Sequence, residues 1–248
     1  MIDMHSHVLP GVDDGAQTME ESLELLAQAV DSGVHTLVAT PHCNIPDEFD
    51  NYVSPELDTL FRDLDQAREE AGIPLRLCRG MEVFATYELP ALLRDGRVWT
   101  LNDSRYFLVE FAFNEDPAYC RRILRDCAEE GFSPIIAHPE RYFFVQDDPD
   151  IAFEWCVSGF GLQLNKGSIL GRFGPETQRC AHLLLEHGLG ACVASDAHSP
   201  IQRSTHMGEI NEYLLEEFGS DYSRLLLEEN PSRILSGREL LGYEPIPF

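Results

Sequence analysis

The chain is short of positive charge. Lysine and arginine together number 18 against 43 aspartates and glutamates, a formal net charge of −25 over 248 residues. A surface this acidic opposes unassisted binding to nucleic acid or anionic lipid, both of which present dense negative charge. Neither is expected as a partner, and a phosphorylated ligand would need a local positive island. Long apolar runs are missing too. No uninterrupted stretch could span a bilayer, and no basic segment is followed by an apolar one, so no membrane insertion is expected. The seven cysteines (43, 78, 120, 127, 156, 180 and 192) contain no C-x-x-C pair. Odd in number and scattered through apolar segments, they fit the reduced thiols of a cytoplasmic protein better than a disulfide framework. None has arginine six residues later, which excludes the Cys-x5-Arg arrangement of thiolate phosphate chemistry.

What is present is a repeated sequence of capped amphipathic helix, glycine stop and apolar strand. Thr18 with Glu21 forms a capping box, Leu23, Leu26, Ala27 and Val30 keep one helical face, and Gly33 precedes the strand Val34 to Thr40. Ser54-Pro55, Asp116-Pro117 and Gly174-Pro175 open three further helices, stopped at Gly72, Gly131 and Gly188. Strands are expected at Leu75 to Val83, Phe107 to Phe111, Ser133 to Ala137, Gly161 to Asn165 and Ala191 to Ser195. A short helix is expected near Tyr87 to Leu93. Helices are also expected at Gln202 to Glu217 and Asp221 to Glu229, with a last short one from Asn230. Strands alternating with helices imply parallel βαβ units. About seven strands, with no linker rich in Pro, Gly or Ser, predict one α/β domain over residues 1–248, a distorted TIM-like (β/α)7 barrel.

In such a barrel the active site lies where strands end and βα-loops begin. The first strand ends at His5 and His7, with Asp13 and Asp14 in the following loop. The second ends at His42, the third at Glu82, the fourth at Glu110, the fifth at His138 with Arg141 beyond, and the seventh at Asp196 and His198. Six of about seven strands thus end in His, Asp or Glu, enough donors for two or three divalent ions. A mixture of imidazole and carboxylate without cysteine suits Mn, Fe(II) or Zn. Asp13 is read as shaping its turn, Asp3 as a strand-start or supporting residue, and Tyr142-Phe143-Phe144 as rim packing or an aromatic wall.

The set HSH, VDDG, TPH, GMEV, VEF, AHPER and SDAH resembles the PHP (polymerase and histidinol phosphatase) superfamily, over essentially the whole chain and in the family's order. The opening HSHVLPGVDDG, the HPERY of 138–142 and LNKGSILGRFG of 164–174 are similar to its capsule-associated protein-tyrosine phosphatase branch, which acts on bacterial tyrosine autokinases. The resemblance implies a PHP-type barrel. It also implies three divalent ions, manganese before Fe(II) or Zn, and hydrolysis of phosphotyrosine by a hydroxide bridging them. His5, His7, Glu82 and Asp196 would hold one ion. Glu82 would bridge to a second held by Glu110 and His138, and Asp14, His42 and His198 would hold a third. Arg141 and Arg203 would hold the substrate phosphate. One departure is visible, Cys43 where the branch commonly has a second histidine after TPH. Alternatives are a phosphatase of a small metabolite such as histidinol phosphate, a nucleolytic PHP domain and a non-catalytic kinase-binding module. Oligomeric state is left open.

Overall fold

Nine short strands, all paired in parallel, line the centre of the computed structural model, which describes residues 1–242 and 245–248. In chain order they are β1 (Ile2–Ser6), β2 (Thr36–Ala39), β3 (His42–Cys43), β4 (Arg76–Arg79), β5 (Glu82–Phe84), β6 (Tyr106–Glu110), β7 (Ser133–Ala137), β8 (Gly161–Asn165) and β9 (Cys192–Ala194). They fall into two sheets, β1-β2-β4 and β3-β5-β6-β7-β8-β9. Two strand paths cross from one sheet to the other. β3 continues β2 past Thr40-Pro41, and β5 continues β4 past Gly80-Met81. Hydrogen bonds from Gly80 N to Ala39 O (2.9 Å) and from Glu82 N to Pro41 O (3.1 Å) carry the pairing across both breaks. The ring closes between β1 and β9 through the parallel bridge Ser6↔Ala197, with Asp196 N donating to His5 O (2.9 Å) and His7 N to Ala197 O (2.8 Å). Seven strand paths therefore make a distorted barrel, the expected α/β class.

The helices are α1 (Met19–Asp31), α2 (Pro55–Glu70), α3 (Leu89–Arg94), α4 (Pro117–Glu129), α5 (Phe143–Asp147), α6 (Asp150–Val157), α7 (Lys166–Ile169), α8 (Pro175–Glu186), α9 (Gly208–Phe218), α10 (Ser220–Arg224) and α11 (Asn230–Leu235). Thr18, Ser54 and Asp116 cap α1, α2 and α4 with their side-chain oxygens, which accept from Glu21 N, Leu57 N and Ala118 N, so these three starts lie where the sequence puts them.

Three expectations are corrected. Leu75 to Val83 is not one strand: Gly80 interrupts it, and a Cβ there would lie 2.9 Å from Leu101 Cδ2. The helix expected from Gln202 begins only at Gly208, because residues 199–207 are held as a loop by long-range hydrogen bonds. The segment expected as one helix from Asp221 is α10 followed by a π-helical stretch, Leu225–Glu229.

Alternation along the strands separates two apolar clusters. One lies between strands and helices and includes Leu37, Val83, Phe107, Val109, Ile136, Leu162, Leu164 and Val193 with the buried faces of α1, α4 and α8. The other fills the barrel and includes Ile2, Met4, Val38, Cys78, Tyr106, Leu108, Ile135, Ala137, Cys192 and Ala194, closed below by Ile234 and Leu235 of α11. Following that inner face upward in steps of two residues leads from Val38 to His42, from Cys78 to Glu82, from Leu108 to Glu110 and from Ala194 to Asp196. Apolar at its floor, the same face is polar at its mouth.

Candidate metal centre

Two strand paths need a phase change to present their histidines. In β1 the pairing register shifts between Asp3 and Ser6, so Ile2 and Met4 face the floor cluster while His5 and His7 reach the mouth. Beyond β7 the same is achieved by His138 at φ 33°, and beyond β9 Asp196 stands at φ 50°. Positive φ at two non-glycine residues is strained backbone of the kind that collects at functional sites. Gly15 is required for a different reason. A Cβ on it would lie 2.2 Å from the carbonyl oxygen and 2.4 Å from the Cβ of His7, so the loop folds back directly onto that histidine.

All nine residues expected as ligands converge. His5 Nε2 and His7 Nε2 are 3.1 Å apart. Glu82 Oε2 lies 3.2 and 3.3 Å from them, and Asp196 Oδ1 3.5 and 3.6 Å. On its other side, Glu82 Oε1 is 2.9 Å from His138 Nε2, with Glu110 Oε1 3.7 Å from the same nitrogen. Asp14 Oδ1 is 3.5 Å from His42 Nε2 and 3.3 Å from His198 Nε2. One refinement concerns His42, whose Nδ1 faces Glu82 Oε2 at 3.0 Å and Glu110 Oε2 at 3.9 Å, so its ring stands between the second and third expected groupings.

The donors fit a metal. His5 Nδ1 is engaged by Gln163 Oε1 and His7 Nδ1 by Asp13 Oδ2, both at 2.8 Å. Each contact needs the proton on Nδ1, which leaves a lone pair on Nε2. Two such lone pairs facing each other repel unless a cation lies between them. Glu82 Oε2 and His42 Nδ1 are buried without a hydrogen-bond partner. Ligands about 2.0–2.2 Å from a common ion stand roughly 3.0–3.6 Å from one another, the spacing of the His5, His7, Glu82 and Asp196 atoms.

Metal-free electrostatics follow from burial working against charge. Burial alone would lower the pKa of His5, but the Glu82 and Asp196 carboxylates raise it to about 9. His42 is raised to about 10, where Glu82 again outweighs burial. Burial followed by the neighbouring Glu82 charge raises Glu110 to about 8, and burial lowers His138 to about 4. Asp196 is buried too, yet His5 and Arg203 hold it well below the usual carboxylate range. Asp14 is brought down to about 2 by its hydrogen bond with His198.

Both expected arginines reach the mouth. Arg141 Nη1 is 3.4 Å from Asp196 Oδ2 and Arg203 Nη2 pairs with the same oxygen. The Arg141 guanidinium lies 4.7 Å from the ring centre of Phe113 and 4.9 Å from that of Phe173, and Arg203 lies 5.6 Å from Phe173. Neither Phe113 nor Phe173 was expected at the site, although Phe173 lies within the segment LNKGSILGRFG. Tyr142-Phe143-Phe144 divides its roles. Tyr142 is buried and its hydroxyl accepts from Phe111 N at 3.1 Å, whereas Phe143 is 56% exposed. Asp13 does more than shape the turn. Besides His7 it accepts from Gly15 N (2.9 Å) and His42 N (3.0 Å), tying three pieces of the site together. Asp3 supports β1 and β9 by accepting from Ser195 N at 2.9 Å.

Fold and site together define a parallel β/α barrel with groups of candidate metal ligands gathered over its strand ends. Residues 1–236 match the family described as "Capsular polysaccharide synthesis, CpsB/CapC", and the chain belongs to it. It is 33% identical over 251 residues to the tyrosine-protein phosphatase YwqE of Bacillus subtilis, covering 100% of this chain and 96% of that one. A solved structure described as one of YwqE from Bacillus subtilis and CpsB from Streptococcus pneumoniae, "unique metal-dependent tyrosine phosphatases", superposes with a TM-score of 0.93 at 33% identity, covering 100% of this chain and 99% of that one. Histidinol phosphate phosphatase from Lactococcus lactis shares the fold alone, at 14% identity and a TM-score of 0.56, covering 87% of this chain and 92% of that one.

Proposed function

We propose that the chain, acting as one unit over residues 1–248, is a metal-dependent phosphotyrosine-protein phosphatase. The observation that carries this reading is the close approach of His5 Nε2 and His7 Nε2, 3.1 Å apart beside Glu82, with two arginines poised on the outer oxygen of Asp196. A cation-gathering centre is thereby joined to a phosphate-binding edge. Full-length likeness to a named tyrosine-protein phosphatase supports the substrate class.

His5, His7, Glu82 and Asp196 would hold one ion, Glu82, Glu110 and His138 a second, and Asp14, His42 and His198 a third. Manganese is the first candidate, and Fe(II) or Zn suit the same donors. When bound, divalent ions polarise phosphoryl oxygens and lower the pKa of water to about 7 in favourable cases. The chain's own residues do the rest. Asp13 and Gln163 fix the ring planes of His7 and His5. Arg141 and Arg203, steadied on Phe113 and Phe173, present N–H donors to the phosphoryl oxygens, where charge builds during transfer. Phenols ionise near pH 10, so tyrosine leaves without a strong general acid. A thiolate route has no support here, since burial raises Cys43 and Cys127 to about 12 and pushes Cys120 up as well. The substrate proposed is a bacterial tyrosine autokinase in capsule or exopolysaccharide control, met in the cytoplasm.

The test is metal analysis of the purified protein with phosphotyrosyl-peptide turnover before and after chelation. Turnover should vanish on chelation and return with manganese. Fewer than two ions per chain at full activity would overturn the three-ion arrangement, and a large preference for histidinol phosphate would overturn the substrate class.

A further inference from the structure

Among the seven strand paths, only the one through β8 ends in no expected ligand. Its residues serve their neighbours instead. Gln163 accepts from His5, and Asn165 Nδ2 donates to Asp196 Oδ2 at 2.5 Å. The next residue, Lys166, is the single lysine among the chain's 18 basic residues. It is 3% exposed. Its Nζ donates to the carbonyl oxygens of His206 (2.8 Å) and Ser204, which flank Thr205. The Thr205 hydroxyl donates in the other direction, to Leu25 O of α1 at 2.5 Å. The loop after β9 is thus clamped between α7 and α1. Upstream, the Arg203 carbonyl accepts from His198 N (2.8 Å) and Ser199 N (3.2 Å), so the fixed backbone includes Arg203 itself.

The choice of lysine has a physical reason. An ammonium on a thin stem can enter the interior and be satisfied by two or three carbonyls, whereas a guanidinium brings five donors in a plane. Asp3, also buried, supplies a compensating charge nearby. Burying a lone cation is costly unless it is hydrogen-bonded and paired, and a surface position would have served equally well if charge alone mattered.

We propose that Lys166 is a positioning residue for Arg203, its buried ammonium fixing the backbone of residues 204–206 and so aiming the guanidinium at the phosphoryl end of the site. This rests on the role given to Arg203 above. The effect is read in a cycle of Lys166→Met, Arg203→Ala and the double variant, each loaded with manganese and assayed on a phosphotyrosyl peptide. Lys166→Met should lower kcat/KM about tenfold, while the double variant stays within about twofold of Arg203→Ala, as coupling through one group requires. An equal loss in both backgrounds, or none in either, overturns the inference. A second readout does not depend on turnover. Amide hydrogen exchange over residues 203–207 should quicken in Lys166→Met while the rest of the barrel keeps its protection, and unchanged exchange there overturns the inference. If the parent protein does not hydrolyse the peptide, the phosphatase reading fails, and exchange alone decides the clamp. Should Lys166→Met not fold, Lys166→Gln takes its place, keeping two N–H donors on a shorter stem.

Discussion

Replacing Gly15 by alanine adds one methyl group to a residue that touches no substrate, yet it should disable the centre. The new Cβ would fall 2.2 Å from His7 O and 2.4 Å from His7 Cβ, with Asp13 Oδ1 at 2.9 Å. Two of these three atoms belong to His7, one of them backbone, so no side-chain rotation relieves the clash. His7 or the loop must retreat by roughly 1 Å, and a misplacement of that size at a catalytic constellation costs on the order of 10²-fold in turnover. His7 cannot move independently, because its Nε2 is 3.1 Å from His5 Nε2 and its Nδ1 is bound to Asp13. Stability should fall by about 1–3 kcal/mol, the usual cost of overpacking. The comparison is Gly131→Ala, where the backbone has φ +92° but nothing lies within 4 Å of the added atom. It should lose about 1–2 kcal/mol from backbone strain with kcat unchanged. Metal content, calorimetric melting and peptide turnover of the two variants settle the matter. If Gly15→Ala binds its ions and turns over within twofold of the parent, the account of the His7 loop is wrong.

Two further outcomes follow from the same geometry. Asp13→Asn keeps the shape but frees the His7 proton to sit on either nitrogen, and metal affinity should drop about 10–100-fold, measured by competition with a chromogenic chelator; unchanged affinity would mean that Asp13 only shapes the turn. The metal-free protein should lose stability as pH rises above about 6.5. His5 and His42 are raised to about 9 and 10 by Glu82, so their contribution is complete below about pH 6.5 and is lost as pH climbs through those values. Glu110, raised to about 8 by burial and the Glu82 charge, contributes fully only below about pH 4.5 and has lost that contribution above about pH 8. His138, lowered to about 4, contributes above about pH 6.5 and is lost on acidification. Calorimetry of chelated protein should therefore show melting fall between pH 6.5 and 9.5, and manganese should flatten that fall because ions bind the deprotonated ligands. A melting temperature that rises steadily to pH 9.5 without metal would contradict this.

Much of the site was legible because a parallel barrel converts order along the chain into position around a ring. His42, Glu82, Glu110 and Asp196 each end a recognisable apolar strand, so their convergence followed once the barrel was accepted. The arginines were legible through likeness to HPERY and, for Arg203, only through its place after SDAH. Phe113, Phe173 and Gln163 were not legible, since an aromatic or amide side chain in a loop or strand carries no address until its neighbours arrive.

The sequence by itself determined the helix starts, through Thr18, Ser54 and Asp116, and the strand ends at which His, Asp or Glu stand, because capping boxes, glycine stops and apolar runs are local physics. Only the tertiary structure decided where the strands break and which atoms meet. Residue 80, where its strand divides, is a glycine because Leu101 and Val38, far along the chain, leave no room for a Cβ. The β1 register shift and the positive φ of His138 and Asp196 turn those residues toward the mouth, and no local sequence pattern announces them. His42 looks both ways because its two nitrogens meet carboxylates from the loop after β1, from β5 and from β6. Lys166 acquires its task from carbonyls forty residues away, a relation that no local pattern records.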